Sequence, residues 1–150
     1  MLTIGQIEDV EKHKEDYDEI WWIVHSPQEE PTDIRIKIVP QLAPGDGLFC
    51  RYREAYHAGI YDINYFETVY APQFLKELRN NSEALNILSS LCDEASKKDI
   101  VLCCYCQDEK ICHRSIIAGV LLGMGADIRA DKKYLRYYQM LACVFRDGSF

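Results

Sequence analysis

The sequence predicts an α/β fold: a single three-layer α/β/α domain over residues 1–150, built on a mainly parallel sheet. Three observations predict it. Ile100-Val101-Leu102-Cys103-Cys104-Tyr105 is an apolar run without polar alternation, the pattern of a strand covered on both faces. Ile116, Ile117, Val120, Leu121 and Met124 follow at helical spacing and stop at Gly125, after which Ala126-Asp127-Ile128-Arg129 reads as a second strand. Parallel strands need a crossover of this kind, so strand, helix, strand implies a layered, Rossmann-like arrangement.

The remaining elements are read in chain order. Ile20-Trp21-Trp22-Ile23-Val24, closed by His25-Ser26-Pro27, predicts a first buried strand. Asp33 to Val39 alternates apolar and charged residues until Pro40, as a strand near an edge does. Gln41 to Gly47 has no periodicity and carries Pro44, Gly45 and Gly47, so it is a loop, and Leu48, Tyr52, Ala55 and Tyr56 then keep helical spacing up to Gly59. Ile63, Phe66, Val69, Tyr70, Phe74 and Leu78 form an apolar helical stripe that Pro72 should kink or break. Ser82 is the expected N-cap of a helix burying Leu85, Leu88, Leu91, Cys92 and Ala95. Asp131 should cap a last helix with Leu135, Tyr138, Leu141, Ala142 and Phe145 inward.

Composition narrows the function classes. With 48% hydrophobic and 27% charged residues the chain has the balance of a globular domain, and disordered or collagen-like classes are excluded. No apolar run approaches the roughly 20 residues that span a bilayer, and Met1 to Glu11 is polar and acidic, so no membrane association and a cytoplasmic location are expected. The net charge of −7 opposes non-specific attraction to a phosphate backbone, which disfavours a nucleic-acid partner. Seven cysteines, four of them within Cys103–Cys112, are crowded too closely for a disulfide framework.

The crowded segment is also where an open parallel sheet binds ligands, outside the carboxyl ends of its strands. Cys106 to Ser115 leads from the strand to the start of the Ile116 helix. There the helix dipole and free N–H groups favour an anion, Arg114 adds a planar fork, and Ser115 stands beside it. A helix start with Arg and His nearby lowers a thiol pKa, which makes Cys106 and Cys112 candidate thiolates, whereas Cys103 and Cys104 lie within the strand and read first as core filling. A tyrosine-phosphatase mechanism is rejected, because the position six before Arg114 is Asp108. Cys104, Cys106, Cys112 and His113 also offer soft metal ligands, but they lack the paired Cys-x-x-Cys spacing of structural zinc sites, so no metal and no cofactor are expected. His25 lies just past a strand end, while His13 and His57 read as surface or capping residues.

The stretch Cys104 to Ser115, with Cys112-His113-Arg114, resembles the hallmark of the domain-of-unknown-function 488 (DUF488) family: a strand ending in Cys, a polar loop, then Cys-His-Arg. The likeness extends through Val39-Pro40-Gln41-Leu42-Ala43-Pro44, Tyr52 to Gly59, and Tyr70-Ala71-Pro72-Gln73-Phe74-Leu75. It implies a compact three-layer fold with a site around Cys104, Cys112, His113 and Arg114, and no settled reaction. Where other members carry Glu two residues after the first Cys, this chain has Cys106, which removes a carboxylate base from that position.

Two functions are compatible with these residues. The first is an enzyme, a hydrolase or transferase, acting on a phosphate-bearing small molecule such as a nucleotide or nucleoside derivative. Here Cys104, Cys106, Asp108, Cys112 and His113 do the chemistry, Arg114 and Ser115 hold the anion, and Tyr52, Tyr65 or Tyr70 stacks on a base. The second is a non-catalytic nucleic-acid or protein binding module that uses the same loop, supported by Arg129, Lys132, Lys133 and Arg136.

Overall fold

The computed structural model describes residues 1–147, with side chains described through Cys143. Its sheet has five parallel strands: β1 (Leu2–Gln6), β2 (Glu19–Trp22), β3 (Ile36–Ile38), β4 (Ile100–Cys104) and β5 (Ile128–Arg129). Their order is β3-β2-β4-β1-β5, with β4 in the centre. Every residue of β4 is buried, which is why its sequence shows no alternation. Its neighbours are held in register by Leu2 opposite Ile100 and Gln6 opposite Cys104 on one side, and Glu19 opposite Ile100 on the other.

Side chains leave β4 to two cores. Ile100 and Leu102 join the larger one, filled by α4 (Ala71–Arg79), α5 (Ser82–Glu94), α6 (His113–Gly123) and α7 (Leu135–Asp147). Val101 and Cys103 join a smaller one with Ile20, Trp22 and Ile36, against which Val10 of α1 (Val10–Asp16) packs. Helices therefore cover both faces, as expected for an α/β domain.

Several expectations are corrected. Leu2–Gln6 is a full strand next to β4, not only a polar leading segment. His13 is no surface residue: it is buried in α1, its Nδ1 lies 3.6 Å from Cys103 Sγ, and burial lowers its pKa. The α5 N-cap is Asn81, whose side chain accepts from the Ala84 N–H, because Ser82 already belongs to the helix and Ala84 replaces Leu85 as its first buried residue. Tyr56 and Leu135 are exposed rather than inward, and Phe145 falls outside the described side chains.

The expected interruption before Pro72 takes the form of a π segment between two α-helical pieces. Between α3 (Ile63–Tyr65) and α4 the backbone forms a π turn over Phe66–Tyr70, in which the Ala71 N–H reaches back to the Phe66 carbonyl. The extra residue per turn puts Pro72 into the first turn of α4, where a missing N–H leaves no hydrogen bond broken. The stripe of Phe66, Tyr70 and Phe74 thus continues as one stacked row, with ring centroids 5.2 and 6.2 Å apart.

Candidate functional site

The site grows out of the end of β4. Cys104 is its last residue, Cys106 follows after one residue, and a short turn over Glu109–Ile111 returns the chain to Cys112, the N-cap of α6. Asp108 caps that turn by accepting from the Lys110 N–H at 3.0 Å. The Tyr61 hydroxyl donates to the Ile111 carbonyl and the Tyr134 hydroxyl to Glu109 Oε2, so two distant elements hold the turn from outside. This closure is what brings the cysteines together.

Cys104, Cys106 and Cys112 place their sulfurs within 4.8 Å of one another, with Cys104 Sγ 3.9 Å from Cys106 Sγ. His113 completes the cluster: Nδ1 stands 3.9 Å from Cys104 Sγ and 3.7 Å from Cys112 Sγ, while Nε2 lies 2.8 Å from the Ile23 carbonyl. A carbonyl can only accept, so Nε2 carries the proton and Nδ1 turns a lone pair toward the thiols. Burial lowers the His113 pKa and keeps the ring neutral, and the Phe74 ring packs against it at 5.6 Å. A tight turn thus brings these side chains together although the segment has no Cys-x-x-Cys spacing.

The three thiols are not equivalent. Thiol donors from Cys106 and Cys112, the Cys106 backbone N–H and the Arg114 charge outweigh burial and hold the Cys104 thiol well below the usual cysteine range. The negative charge on Cys104 pushes Cys106 up, and burial reinforced by both neighbours pushes Cys112 far up. One thiolate shared by three sulfurs, centred on Cys104, is the arrangement these interactions favour. Cys103, one residue earlier, lies in the smaller core with its sulfur 3.6 Å from His13 Nδ1, where burial raises it to about 12. Both Cys103 and Cys104 are buried in the core, as their reading as core filling expects, and Cys104 belongs in addition to the sulfur cluster.

Arg114 occupies a different place from the one its sequence position suggests. It is buried, and its guanidinium donates to the Gly5 carbonyl at 2.8 Å and more weakly to those of Gln107 and Cys104, at 3.4 and 3.5 Å. Nε is buried without a partner, and none of these contacts is a carboxylate. No salt bridge from Arg114 to Asp108 or Glu109 is found among the described residues, and the fork expected to hold an anion instead binds carbonyls at the ends of β1 and β4. Ser115 is likewise turned inward, its hydroxyl donating to the Cys112 carbonyl at 2.8 Å. The N–H groups of Ile111, Cys112 and Ser115 bond to carbonyls of the same segment.

The tyrosines separate in the same way. Tyr70 is in the core between Phe66 and Phe74, which removes it as a stacking surface. Tyr52 is half-buried on α2 (Asp46–His57), and burial, with the Cys106 thiol nearby, raises its hydroxyl pKa above the ordinary tyrosine range. It sits in a chain of rings: Tyr61 at 4.8 Å, Phe49 at 6.0 Å and Tyr56 at 6.1 Å, with the Arg53 guanidinium over Phe49 at 5.9 Å. Phe49 and Tyr56 are exposed, so this row runs from the cysteines out to solvent. Sequence reasoning found Tyr52 but missed Phe49, Tyr61 and Phe74, and also the Gly5 and Ile23 carbonyls. Backbone acceptors carry no residue signature and are visible only once the strands are ordered.

Two clefts open near the carboxyl edge of the sheet, neither lined by a residue of the cluster. One of about 500 Å³ lies between Trp22, Gln28, Tyr105 and Gln107, and one of about 310 Å³ between His25, Gln41, Phe74 and Glu77. His57 is exposed at the end of α2, and Arg136 is paired with Glu67 at 2.7 Å.

No curated protein and no solved structure matches the chain. A family model, DUF488-N3a, described as the active DUF488-N3 subclade, matches residues 4–125, from β1 to the end of α6. That span contains all three sulfurs, His113, Arg114 and the aromatic row, and the chain belongs to the DUF488-N3a family.

Proposed function

We propose that the chain is a cysteine-dependent enzyme acting on a phosphate-bearing small molecule, a nucleotide or nucleoside derivative, with Cys104 as its nucleophile. The observation that carries this reading is the grouping of the Cys104 thiol, at the end of the central strand, with two further sulfurs within 4.8 Å and a buried arginine that has no carboxylate partner, surroundings that favour the thiolate. A thiolate, not a thiol, is the attacking species, and a low-pKa cysteine is characteristic of nucleophilic sites. The description of the matched subclade as active is consistent with chemistry at this place.

The residues take the following roles. Cys104 Sγ donates its electron pair to an electrophilic atom of the substrate, and the bond from that atom to the leaving group breaks. A proton from the Cys106 thiol goes to the leaving group, and the Cys106 thiolate is then reprotonated by the water that releases the bound group. His113, neutral with its Nδ1 toward the sulfurs, accepts a proton transiently and keeps the cluster's charge at one. Arg114 acts through its field on Cys104 rather than as a fork on the ligand, which is where the proposal departs from an anion cradle. The rings of Phe49, Tyr52 and Tyr56 offer faces on which a base stacks, and Arg53 supplies the cation on the same rim for a phosphate.

The test has two readouts on metal-free, reduced protein. Ultraviolet thiolate absorbance should persist far below the ordinary thiol range of about 8.5 and vanish in Cys104→Ser. Thermal melting against a panel of nucleotides should show a stabilising ligand whose effect is lost in Phe49→Ala and Tyr52→Ala but kept in Cys104→Ser. Thiols that all titrate in the ordinary range, or a panel without any stabilising nucleotide, would overturn the reading.

A further inference from the structure

We infer that Cys104, Cys106 and Cys112 form a binding site for a single thiophilic divalent cation of the zinc type, and that occupation of this site caps the thiolate cluster. This goes beyond the nucleophile reading and does not rest on it. Four features of the site carry the inference.

The first is distance. A tetrahedral ion with metal–sulfur bonds of about 2.3 Å holds its sulfurs about 3.8 Å apart. Cys104 and Cys106 are already 3.9 Å apart, and all three sulfurs lie within 4.8 Å, so closing onto an ion needs side-chain movements of less than about 1 Å.

The second is the donor set. Three thiolates are soft ligands that select zinc-type ions over magnesium or calcium. Three protein ligands also leave a fourth coordination position open, as in reactive rather than purely structural sites.

The third is charge. Three thiolates and a divalent ion carry a net charge of −1, which is costly to bury alone. The Arg114 guanidinium is buried beside the cluster with carbonyls as its only described partners and with Nε unpaired, so its charge neutralises the assembly.

The fourth is support around the ligands. His113 Nε2–H donates to the Ile23 carbonyl, which fixes the ring and leaves the Nδ1 lone pair facing Cys104 and Cys112. The Ser115 hydroxyl donates to the Cys112 carbonyl. Hydrogen bonds of this outer kind orient ligands and tune affinity at metal centres.

Binding replaces three sulfur–proton or sulfur–arginine interactions with three sulfur–metal bonds. The thiol protons leave to solvent, so affinity rises with pH. No oxidation is involved, and chelation reverses the process. A bound ion takes the electron pair that Cys104 would otherwise donate, so the loaded protein has no free nucleophile.

The experiment uses the full chain, reduced and stripped with a chelator. It is titrated with Co²⁺ and then Zn²⁺, with cobalt absorbance and the count of reactive thiols as readouts. One Co²⁺ per chain is expected, with thiolate-to-cobalt charge-transfer absorption and the intense visible bands of a tetrahedral site. Zinc should displace it and protect three thiols while Cys50 and Cys143, both exposed, stay reactive. Cys106→Ala and Cys106→Ser should each weaken binding at least tenfold and reduce the charge-transfer intensity by about a third, as expected for three equivalent thiolate ligands. Both should stay folded by circular dichroism, since Cys106 is only half-buried. The inference is overturned by the absence of a charge-transfer band, by octahedral cobalt spectra, or by unchanged affinity in both Cys106 variants. Because the cobalt spectrum reports ligands whatever the state of the metal-free thiols, failure here is distinguishable from failure of the nucleophile reading.

Discussion

Replacing Cys106 with alanine removes the largest influence that holds Cys104 ionised, the thiol donor 3.9 Å away. A hydrogen bond to a charged group is worth about 1.5–3 kcal/mol, and a thiol is a weak donor, so the lower end applies. Two other donors stay in place, the Cys112 thiol and the residue-106 backbone N–H, which the substitution does not touch. A loss of about 1.4 kcal/mol corresponds to one pH unit, and the Cys104 midpoint should therefore rise by about 1 in metal-free protein. Cys106→Ser keeps a hydroxyl donor and should leave the midpoint within about half a unit of wild type. The assay is thiolate absorbance against pH, with Cys104→Ser as the blank. The sign also reaches stability. A thiol with a lowered folded pKa stabilises the fold fully above the unfolded thiol range, and that contribution is lost as pH falls through the folded value. Urea unfolding at a series of pH values should accordingly show a smaller loss on acidification in Cys106→Ala than in wild type. Equal midpoints in the alanine and serine variants and wild type would refute the argument that Cys106 donates to Cys104.

Two further outcomes test the frame around the site. Glu19 opens β2; burial pushes its carboxyl up, but Lys37, Lys98 and the Trp21 indole N–H outweigh this and hold it at about 2. Its stabilisation is complete above about 4.5 and is lost as pH falls toward 2. The shift corresponds to a ceiling of about 3 kcal/mol, reduced to roughly 1–2 because Lys37 is half-exposed, and Glu19→Gln should remove this part of the acid dependence in chemical unfolding. Gly119 in α6 lies so close to the chain entering α7 that an added Cβ would stand 1.9 Å from the Tyr134 carbonyl oxygen. Gly119→Ala should destabilise by about 3 kcal/mol or more, whereas Gly47→Ala, with open space around it, should be neutral or slightly stabilising, and equal urea midpoints for the two would contradict the packing of α6 on α7.

What the sequence discloses and what it conceals follow from the range of the interactions involved. β4 and α6 are legible because their burial is imposed by position, the strand being central and nine of the eleven residues of α6 being buried, so composition alone carries the signal. β1 is concealed because only Leu2 is fully buried among its five residues; its place is fixed by pairing with β4 and β5, which no local pattern encodes. The candidate site divides along the same line. Segment 104–115 is legible as the end of a buried strand entering a helix, but the function of each residue within it depends on partners about a hundred positions away. Arg114 illustrates this. At a helix start it reads as an anion fork, yet the Gly5 carbonyl, 109 residues earlier, takes its best hydrogen bond and turns it inward. The same inward turn leaves a cation next to three sulfurs with no acid to neutralise it. A cysteine in the last position of a buried strand is core filling wherever its surroundings are neutral. Next to a trapped guanidinium and two thiol donors the balance shifts toward the anion, and Cys104 has the lowest thiol pKa of the cluster although it is buried.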